Sequence, residues 1–402
     1  MTNRELLHAT MCGENGDSLL QFELGFNVPY KKWRKKGFPS HIVPTSSGWA
    51  ELTTQENFYD YFNTSGFLFC RFEEYCIPAH KTKIISNDGR IVRSINYLGN
   101  TLSQLCDEQS YGQIDDGAQR GALPLGEAFS ITSEKDYLEN RFRYIGHAQE
   151  RILAKSPFWT PEAARNQHDY IVTLGVDGPF GFLREVLGSE NAMIFPYEEP
   201  ELIRMMLRDH LEVAISCAEK LIPLYRPDWT FVWEDCCGST GPFIAPDIFD
   251  ELFAWWYREW KDFTRSMGVP WVVLDTDGDP SPLVTRWYNN GIDCMHPWEV
   301  NGVNMLKFAE EYPDFVMMGG IYKHMFEPGS PEQVGRFKTA DTRKEIDAEL
   351  ERVMKVMKKR GKYIPSLDHW AFWAVEYEDY QYYSNRLLDY GKANQVTRNF
   401  IR

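Results

Sequence analysis

The second half of the chain alternates between short apolar runs and longer segments with apolar residues at helical spacing. The short runs predict strands at residues 228–233, 269–274, 292–295, 315–318 and 362–365. The longer segments predict helices at residues 246–267, 282–290, 303–311, 342–360 and 377–389. Regular alternation of this kind is typical of right-handed crossovers that build a parallel sheet.

The first half continues the pattern less regularly. Residues 169–174 predict a further strand, residues 199–224 a long amphipathic helix, and residues 19–26 a first barrel strand. Residues 65–133 interrupt the alternation, because residues 83–86 and 90–93 flank Asn87-Asp88-Gly89 as in a tight β-hairpin. We therefore predict a single (β/α)8 TIM barrel over residues 1–402, with residues 65–133 inserted as an antiparallel lid or oligomer contact.

Composition narrows the classes of function. The net charge of −15 disfavours a nucleic-acid binder, which would need a basic face. No apolar stretch approaches eighteen residues, so we expect no membrane span, and the first residues lack the apolar region of a secretory signal. The eight cysteines form no C-x-x-C pair, which predicts free thiols in a reducing cytoplasm. The aromatic content of 15% fits either a ring-rich core or a pocket for a planar ligand.

Polar residues follow the predicted strands, where a barrel would gather them at one mouth. The catalytic candidates are Glu234, Asp235, Asp275, Asp277, Glu299 and His369. The substrate-binding candidates are Glu23, Phe180, His296, Lys323 and Asp368. Each carboxylate taken alone could instead cap the following helix. Capping gives no reason for the His369 imidazole beside Asp368, so the joint pattern favours an active site.

Clustered carboxylates are stable when they share a proton or bind a cation. Asp275, Asp277, Asp368 and His369 would suit zinc, manganese or iron. The chain has no Walker loop and no G-x-S-x-G elbow. The glycine-rich residues 175–181 predict a tight loop that brings backbone close to a ligand.

Several of these loops resemble the uroporphyrinogen decarboxylase superfamily, which also contains cobamide-dependent methyltransferases. The resemblance covers residues 19–390, and its most specific part is residues 363–369. Residues 23–26, Trp33 and residues 37–39 are similar to the methyltransferase-like branch. The matching loops are residues 178–180, 231–235, 275–278, 297–299, 319–321 and 361–369. The resemblance implies a TIM barrel.

Two departures separate the branches of this superfamily. The decarboxylases carry Arg-Gln-Ala-Gly-Arg where this chain has residues 23–27 without arginine, so the resemblance argues against a porphyrinogen substrate. The thiol-using methyltransferases carry His-x-Cys where this chain has Asp275-Thr276-Asp277, and a later cysteine near Asp368-His369. The resemblance therefore implies a methyl donor bonded through oxygen, with any metal held by harder ligands.

We expect a corrinoid-dependent methyltransferase, similar to an O-demethylase, that passes a methyl group from a small donor to a cobamide on a partner corrinoid protein. The alternatives are a porphyrinogen decarboxylase-like lyase and a non-catalytic barrel that binds a corrinoid or a small ligand. The resemblance also implies a possible homodimer. All of these depend on one geometric prediction, that Glu234, Asp275, Asp277, Glu299 and His369 meet at a common mouth.

Overall fold

A curled, seven-stranded parallel sheet forms the centre of the molecule, in a computed structural model that describes residues 1–43, 56–105, 125–155 and 170–391. Its strands are β1 (Phe67–Cys70), β6 (Ile171–Asp177), β7 (Trp229–Trp233), β10 (Val272–Asp275), β11 (Cys294–His296), β12 (Val316–Met318) and β13 (Tyr363–Ile364), adjacent in that order. The remaining strands are β2 (Lys83–Asn87), β3 (Ile91–Ile95), β4 (Thr101–Leu105), β5 (Leu125–Ala128), β8 (Cys237–Gly238) and β9 (Gly241–Pro242). The parallel sheet is compatible with a TIM-type barrel.

The segment predicted as the first barrel strand forms isolated bridges. Phe22 pairs in parallel with Ser65, just before β1, and its amide lies 3.2 Å from the carbonyl oxygen of Pro365, just after β13. Pro365 has no backbone N–H to donate in return, which limits the ladder on that side. The segment therefore contacts both edges of the sheet without extending into a regular strand.

The predicted insertion begins too early. Phe67–Cys70 lies inside residues 65–133 but pairs in parallel with β6, so it belongs to the central sheet. The antiparallel part starts at β2, and β2 to β5 form one four-stranded sheet in chain order. The predicted hairpin around Asn87-Asp88-Gly89 is confirmed, because β2 and β3 pair in antiparallel across it. Residues 106–124 of the insertion lie outside the described residues.

Helices cover the outer face of the sheet. The α-helices are Asn3–Cys12, Tyr30–Lys35, Phe58–Tyr61, Glu134–Asn140, Ala148–Ala154, Pro179–Leu187, Ser189–Glu198, Pro200–Tyr225, Pro246–Ile248, Ala254–Ser266, Val284–Asn289, Met305–Glu311, Thr342–Arg360 and Tyr377–Tyr390. A π-helical turn, Phe249–Phe253, joins the two pieces of the predicted 246–267 helix. Asp341 caps helix Thr342–Arg360 by accepting from the Lys344 amide.

Two apolar clusters show which side chains point inward. The smaller cluster lies inside the curl and contains Phe67, Ile171, Phe231 and Val273 from alternate positions of the strands. Leu6, Leu7 and Met11 of helix Asn3–Cys12 join it and close the amino-terminal end of the sheet. The larger cluster lies between the strands and the outer helices. No helix within the described ranges is long and apolar enough to span a bilayer.

Candidate active site

Four residues occupy one row across the carboxyl edge of the sheet. Asp177 on β6 is in register with Trp233 on β7, which is in register with Asp275 on β10 and then His296 on β11. Phe231, Val273 and Cys294, two residues earlier in their strands, belong to the inner cluster. The side chains of the row therefore also point inward, at the end where parallel barrels carry their active sites.

Asp275 and His296 form a buried pair. His296 Nδ1 lies 2.8 Å from Asp275 Oδ1, and the imidazole has no exposed surface. Burial raises the pKa of Asp275 well above its usual range, and the nearby Asp277 charge adds to the effect. Burial lowers the pKa of His296 to about 3. Both side chains therefore favour their uncharged states, a protonated Asp275 carboxyl and a neutral His296 imidazole.

Asp277 and His369 form a second pair that is open to solvent. His369 Nε2 lies 3.6 Å from Asp277 Oδ2, and about a third of each side chain or more is exposed. Burial alone would raise the pKa of Asp277, but the hydrogen bond and charge of His369 lower it below its usual value. Burial would lower the pKa of His369, but the hydrogen bond to Asp277 raises it above its usual value. This pair therefore favours an ionised carboxylate and a protonated imidazole.

Three further candidates lie around these pairs. Glu299 Oε2 accepts from the Gly278 amide at 2.9 Å, and Glu299 Oε1 lies 3.9 Å from Lys323 Nζ. Asp235 Oδ2 lies 3.2 Å from Arg184 Nη1. Burial and then the charges of Asp277 and Asp275 raise the pKa of Asp235 to about 7. Asp235, Lys323 and Glu299 thus share the electrostatic environment of the two pairs.

The structure places Glu234 away from this group. Its carboxylate is fully buried on the outer side of β7 and accepts from the amides of Phe180 and Gly181, at 3.0 and 2.9 Å, and from the Tyr257 hydroxyl. It therefore caps helix Pro179–Leu187. Burial raises the pKa of Glu234 to about 8. The predicted meeting of Glu234 with Asp275, Asp277, Glu299 and His369 does not occur.

The glycine-rich loop, residues 175–181, packs against the Glu234 carboxylate. A Cβ atom on Gly178 would lie 2.4 Å from Glu234 Cδ, so Gly178 accommodates Glu234. The expectation that residues 175–181 bring backbone close to a ligand is wrong at Gly178, because an internal side chain fills the space. Phe180 is 1% exposed and stacks on Phe243 with ring centroids 5.9 Å apart. Its side chain is therefore part of the packed core.

Two more candidates are buried behind the mouth. Glu23 is 1% exposed and its Oε1 accepts from the Tyr383 hydroxyl at 3.2 Å, and burial raises its pKa to about 8. Asp368 accepts from the amides of Val300 and Lys323, at 3.0 and 2.8 Å. Burial raises the pKa of Asp368 to about 6 against these hydrogen bonds. Asp368 thus fixes the loops that carry Lys323 and Glu299.

The predicted metal ligands do not converge in this arrangement. Asp368 uses both carboxylate oxygens for backbone amides, while Asp277 and His369 pair with each other. Within the described residues, no group of three or more His, Cys, Asp or Glu side chains is placed to hold a metal ion. The metal site therefore stays a prediction.

Sequence reasoning missed a second polar group at the same edge of the sheet. Arg71, Glu74 and Tyr75 follow β1, Asp177 ends β6, and His210 lies on helix Pro200–Tyr225. Asp177 is a strand-end carboxylate like the other candidates, but the strand was expected to end at residue 174. A strand predicted to end at residue 177 would have placed Asp177 among the candidates.

Solved structures of other proteins share this fold, in one case over nearly the whole chain. A methyltransferase from Methanosarcina mazei superposes with a TM-score of 0.54 at 12% sequence identity, covering 96% of this chain and 99% of that chain. No protein-family model matches the sequence, and no curated protein matches it significantly. At this identity the similarity establishes the fold alone, an α/β fold that the two proteins share.

Proposed function

We propose that this protein is a methyltransferase of the cobamide-dependent branch of the uroporphyrinogen decarboxylase superfamily. It would take a methyl group from a small donor bonded through oxygen and pass it to a cobamide carried by a partner protein, which enters as a substrate. The methyltransferase fold of the Methanosarcina mazei protein supports this proposal. We also infer that the segment around Phe22 takes the place of an eighth strand, because it contacts both edges of the sheet.

The Asp277–His369 pair is the observation that carries the proposal. Methyl ethers react slowly because an alkoxide is a poor leaving group, and a proton delivered to the oxygen removes that barrier. His369 holds such a proton because Asp277 raises its pKa, and it lies at the carboxyl edge of the sheet. Its Nε2 faces Asp277, which leaves Nδ1 for the substrate.

The proposed reaction balances with one proton. The reduced cobamide supplies the electron pair that forms the new bond to the methyl carbon. The carbon–oxygen bond breaks, its electrons stay on the oxygen, and the proton from His369 Nδ1 converts that oxygen into an alcohol or phenol. Asp277 then stabilises the neutral imidazole until it regains a proton from solvent, which the partial exposure of His369 allows.

The test is methyl transfer to cob(I)alamin from methoxylated donors, followed by the absorbance of the methyl-cobalt product. We expect His369→Gln to slow transfer by roughly 10²-fold or more, in line with general acids elsewhere. His8→Gln is the matched control, because His8 lies 3.4 Å from the Asp228 carboxylate at the opposite end of the sheet. Absence of transfer with every donor, or equal rates for His369→Gln and the wild type, would refute the proposal.

A further inference from the structure

The second polar group lies two strands away from the Asp275–His296 pair and has no part in the proposed reaction. Asp177 and Asp275 flank Trp233 in one row of the sheet. Because neighbouring strands are about 4.8 Å apart, the backbones at Asp177 and Asp275 are about 10 Å apart. That distance suits a ligand with one planar ring and a substituent at each end.

Arg71 points into the curl of the sheet from the end of β1. Phe67 and Phe69, at the preceding alternate positions, pack in the inner cluster, and the Arg71 guanidinium lies 4.8 Å from the Phe69 ring centroid. The neighbouring strand makes room for it, since a Cβ atom on Gly175 would lie 3.0 Å from Arg71 Nε. The glycine therefore leaves a slot for a guanidinium at this edge.

Asp177 is held in place from two sides. Its carboxylate accepts a hydrogen bond from the Tyr75 hydroxyl, and its amide donates to Glu74 Oε2 at 2.8 Å. Glu74 Oε2 also lies 3.1 Å from His210 Nε2, and the His210 ring stacks on Phe182 at 4.2 Å. Tyr75, Glu74 and His210 thus act as positioning residues for Asp177.

The charges of this group favour an anion. Burial and then the Glu74 charge raise the pKa of Asp177 to about 7, and burial raises the pKa of Glu74 to about 8. Near neutral pH these carboxyls keep much of their protons, whereas an arginine guanidinium carries a positive charge at every physiological pH. Arg71 and a protonated Asp177 together offer hydrogen-bond donors and a positive charge, which match a carboxylate.

We propose that Arg71 and Asp177 bind a carboxylate on the methyl donor, whose planar body lies against Trp233. The Trp233 indole is half-buried, and the Arg184 guanidinium lies 4.6 Å from its ring centroid. A donor anchored at Arg71 would place its far end near Asp275 and the Asp277–His369 pair. The role of this carboxylate in turnover rests on the proposed methyl transfer, but its binding can be measured separately.

The test is calorimetric binding of 4-methoxybenzoate and of 4-methoxybenzamide, its uncharged counterpart, without cobamide. We expect the wild type to bind the benzoate at least tenfold more tightly, and Arg71→Met to lose that preference. Arg71→Lys should keep part of it and shows whether charge is what matters. Arg208→Met is the matched control, because Arg208 lies 4.1 Å from the ring centroid of Trp255 on the outer surface.

The pH profile tests the part played by Asp177. The titratable and charged groups facing Asp177 are Glu74, Tyr75, Arg71, His210, Glu185 and Tyr97. Benzoate affinity should weaken as the pH rises through about 7, because Asp177 then becomes negative. Asp177→Asn should bind with little change between pH 6 and 8. If the profile persists in Asp177→Asn and disappears in Glu74→Gln, the assignment to Asp177 is wrong.

Equal affinities for the two probes, or an unchanged preference in Arg71→Met, would overturn the proposal. Urea unfolding of each variant establishes that the binding data come from folded protein. Methyl transfer without a preference for the benzoate would remove only the carboxylate subsite. A preference for the benzoate without methyl transfer would leave the subsite standing and refute the proposed function.

Discussion

Replacing Glu234 distinguishes a structural carboxylate from a catalytic one. In Glu234→Ala the amides of Phe180 and Gly181 and the hydroxyl of Tyr257 lose their acceptor in a fully buried place. A buried donor without a partner costs about 1–3 kcal/mol. Some of this is recovered by local rearrangement, so we expect the free energy of unfolding to fall by about 3–5 kcal/mol, a large share of the total stability of a typical domain.

Urea unfolding followed by tryptophan fluorescence measures this loss. The matched control is Glu190→Ala, at an exposed position on helix Ser189–Glu198, which should change the free energy of unfolding by less than about 0.5 kcal/mol. Glu234→Gln keeps one carbonyl acceptor and should fall between the two. If Glu234→Ala unfolds at the same urea concentration as the wild type but loses methyl transfer, Glu234 is catalytic and the capping interpretation is wrong.

The pH dependence of the same variants has a definite sign. The pKa of Glu234 is about 8 in the folded protein and 4.5 in the unfolded protein. Between pH 4.5 and pH 8 the folded protein therefore binds more protons than the unfolded protein. The contribution of this group to stability therefore decreases as the pH rises from about 4.5 to about 8, and is constant above. Glu234→Gln lacks this slope, so the difference between the wild type and Glu234→Gln should narrow as the pH rises.

Two further predictions concern stability. Gly178→Ala should lower the free energy of unfolding by about 1–3 kcal/mol, because its Cβ would overlap Glu234, whereas Gly329→Ala should have little effect since its Cβ would make ordinary contact at 3.4 Å. Burial lowers the pKa of His210 from 6.5 to about 3, so the unfolded protein binds more protons in that range and stability decreases as the pH falls through it. His210→Gln should flatten this acid-side decrease, by up to roughly 3 kcal/mol, in urea unfolding between pH 6.5 and 4.

The central sheet could be predicted from the sequence because its strands are buried on both faces. Residues 228–233, 292–295 and 315–318 are mostly apolar, and each coincides with an observed strand whose ends lie within one or two residues of the predicted ones. Helix Thr342–Arg360 was predicted with the bounds it has in the structure, since its apolar stripe and Gly361 mark both ends.

Other strands gave weaker signals. Phe67–Cys70 is four residues long and lies beside a clear hairpin, so the local pattern favoured assigning it to the insertion. The segment around Phe22 reads as a strand, yet it pairs only through isolated bridges. Pairing at the two edges depends on residues distant in sequence, Ser65 and Pro365, which a local pattern does not reveal.

The candidate site shows a second reason for the limits of sequence reasoning. Successive side chains of a strand point to opposite faces, and the sequence does not show which face a given residue takes. Trp229 and Phe231 point into the inner cluster while Val232 points to the outer one, and all three are apolar. Since both faces of such a strand are buried, the sequence shows where it ends but not which side the next residue faces. Asp275 is in register with Trp233 and faces the mouth, whereas Glu234, one residue beyond Trp233, faces the helices.

This one-residue difference decides whether a carboxylate lies in the candidate active site or stabilises the fold. The inward position makes Asp275 a partner of His296, and the outward position makes Glu234 a helix cap. The same argument applies to Asp177, which lies in the inward row although no local pattern distinguished it. A strand-end carboxylate in this fold is therefore best judged against the residue two positions before it, because that residue shows which cluster the side chain faces.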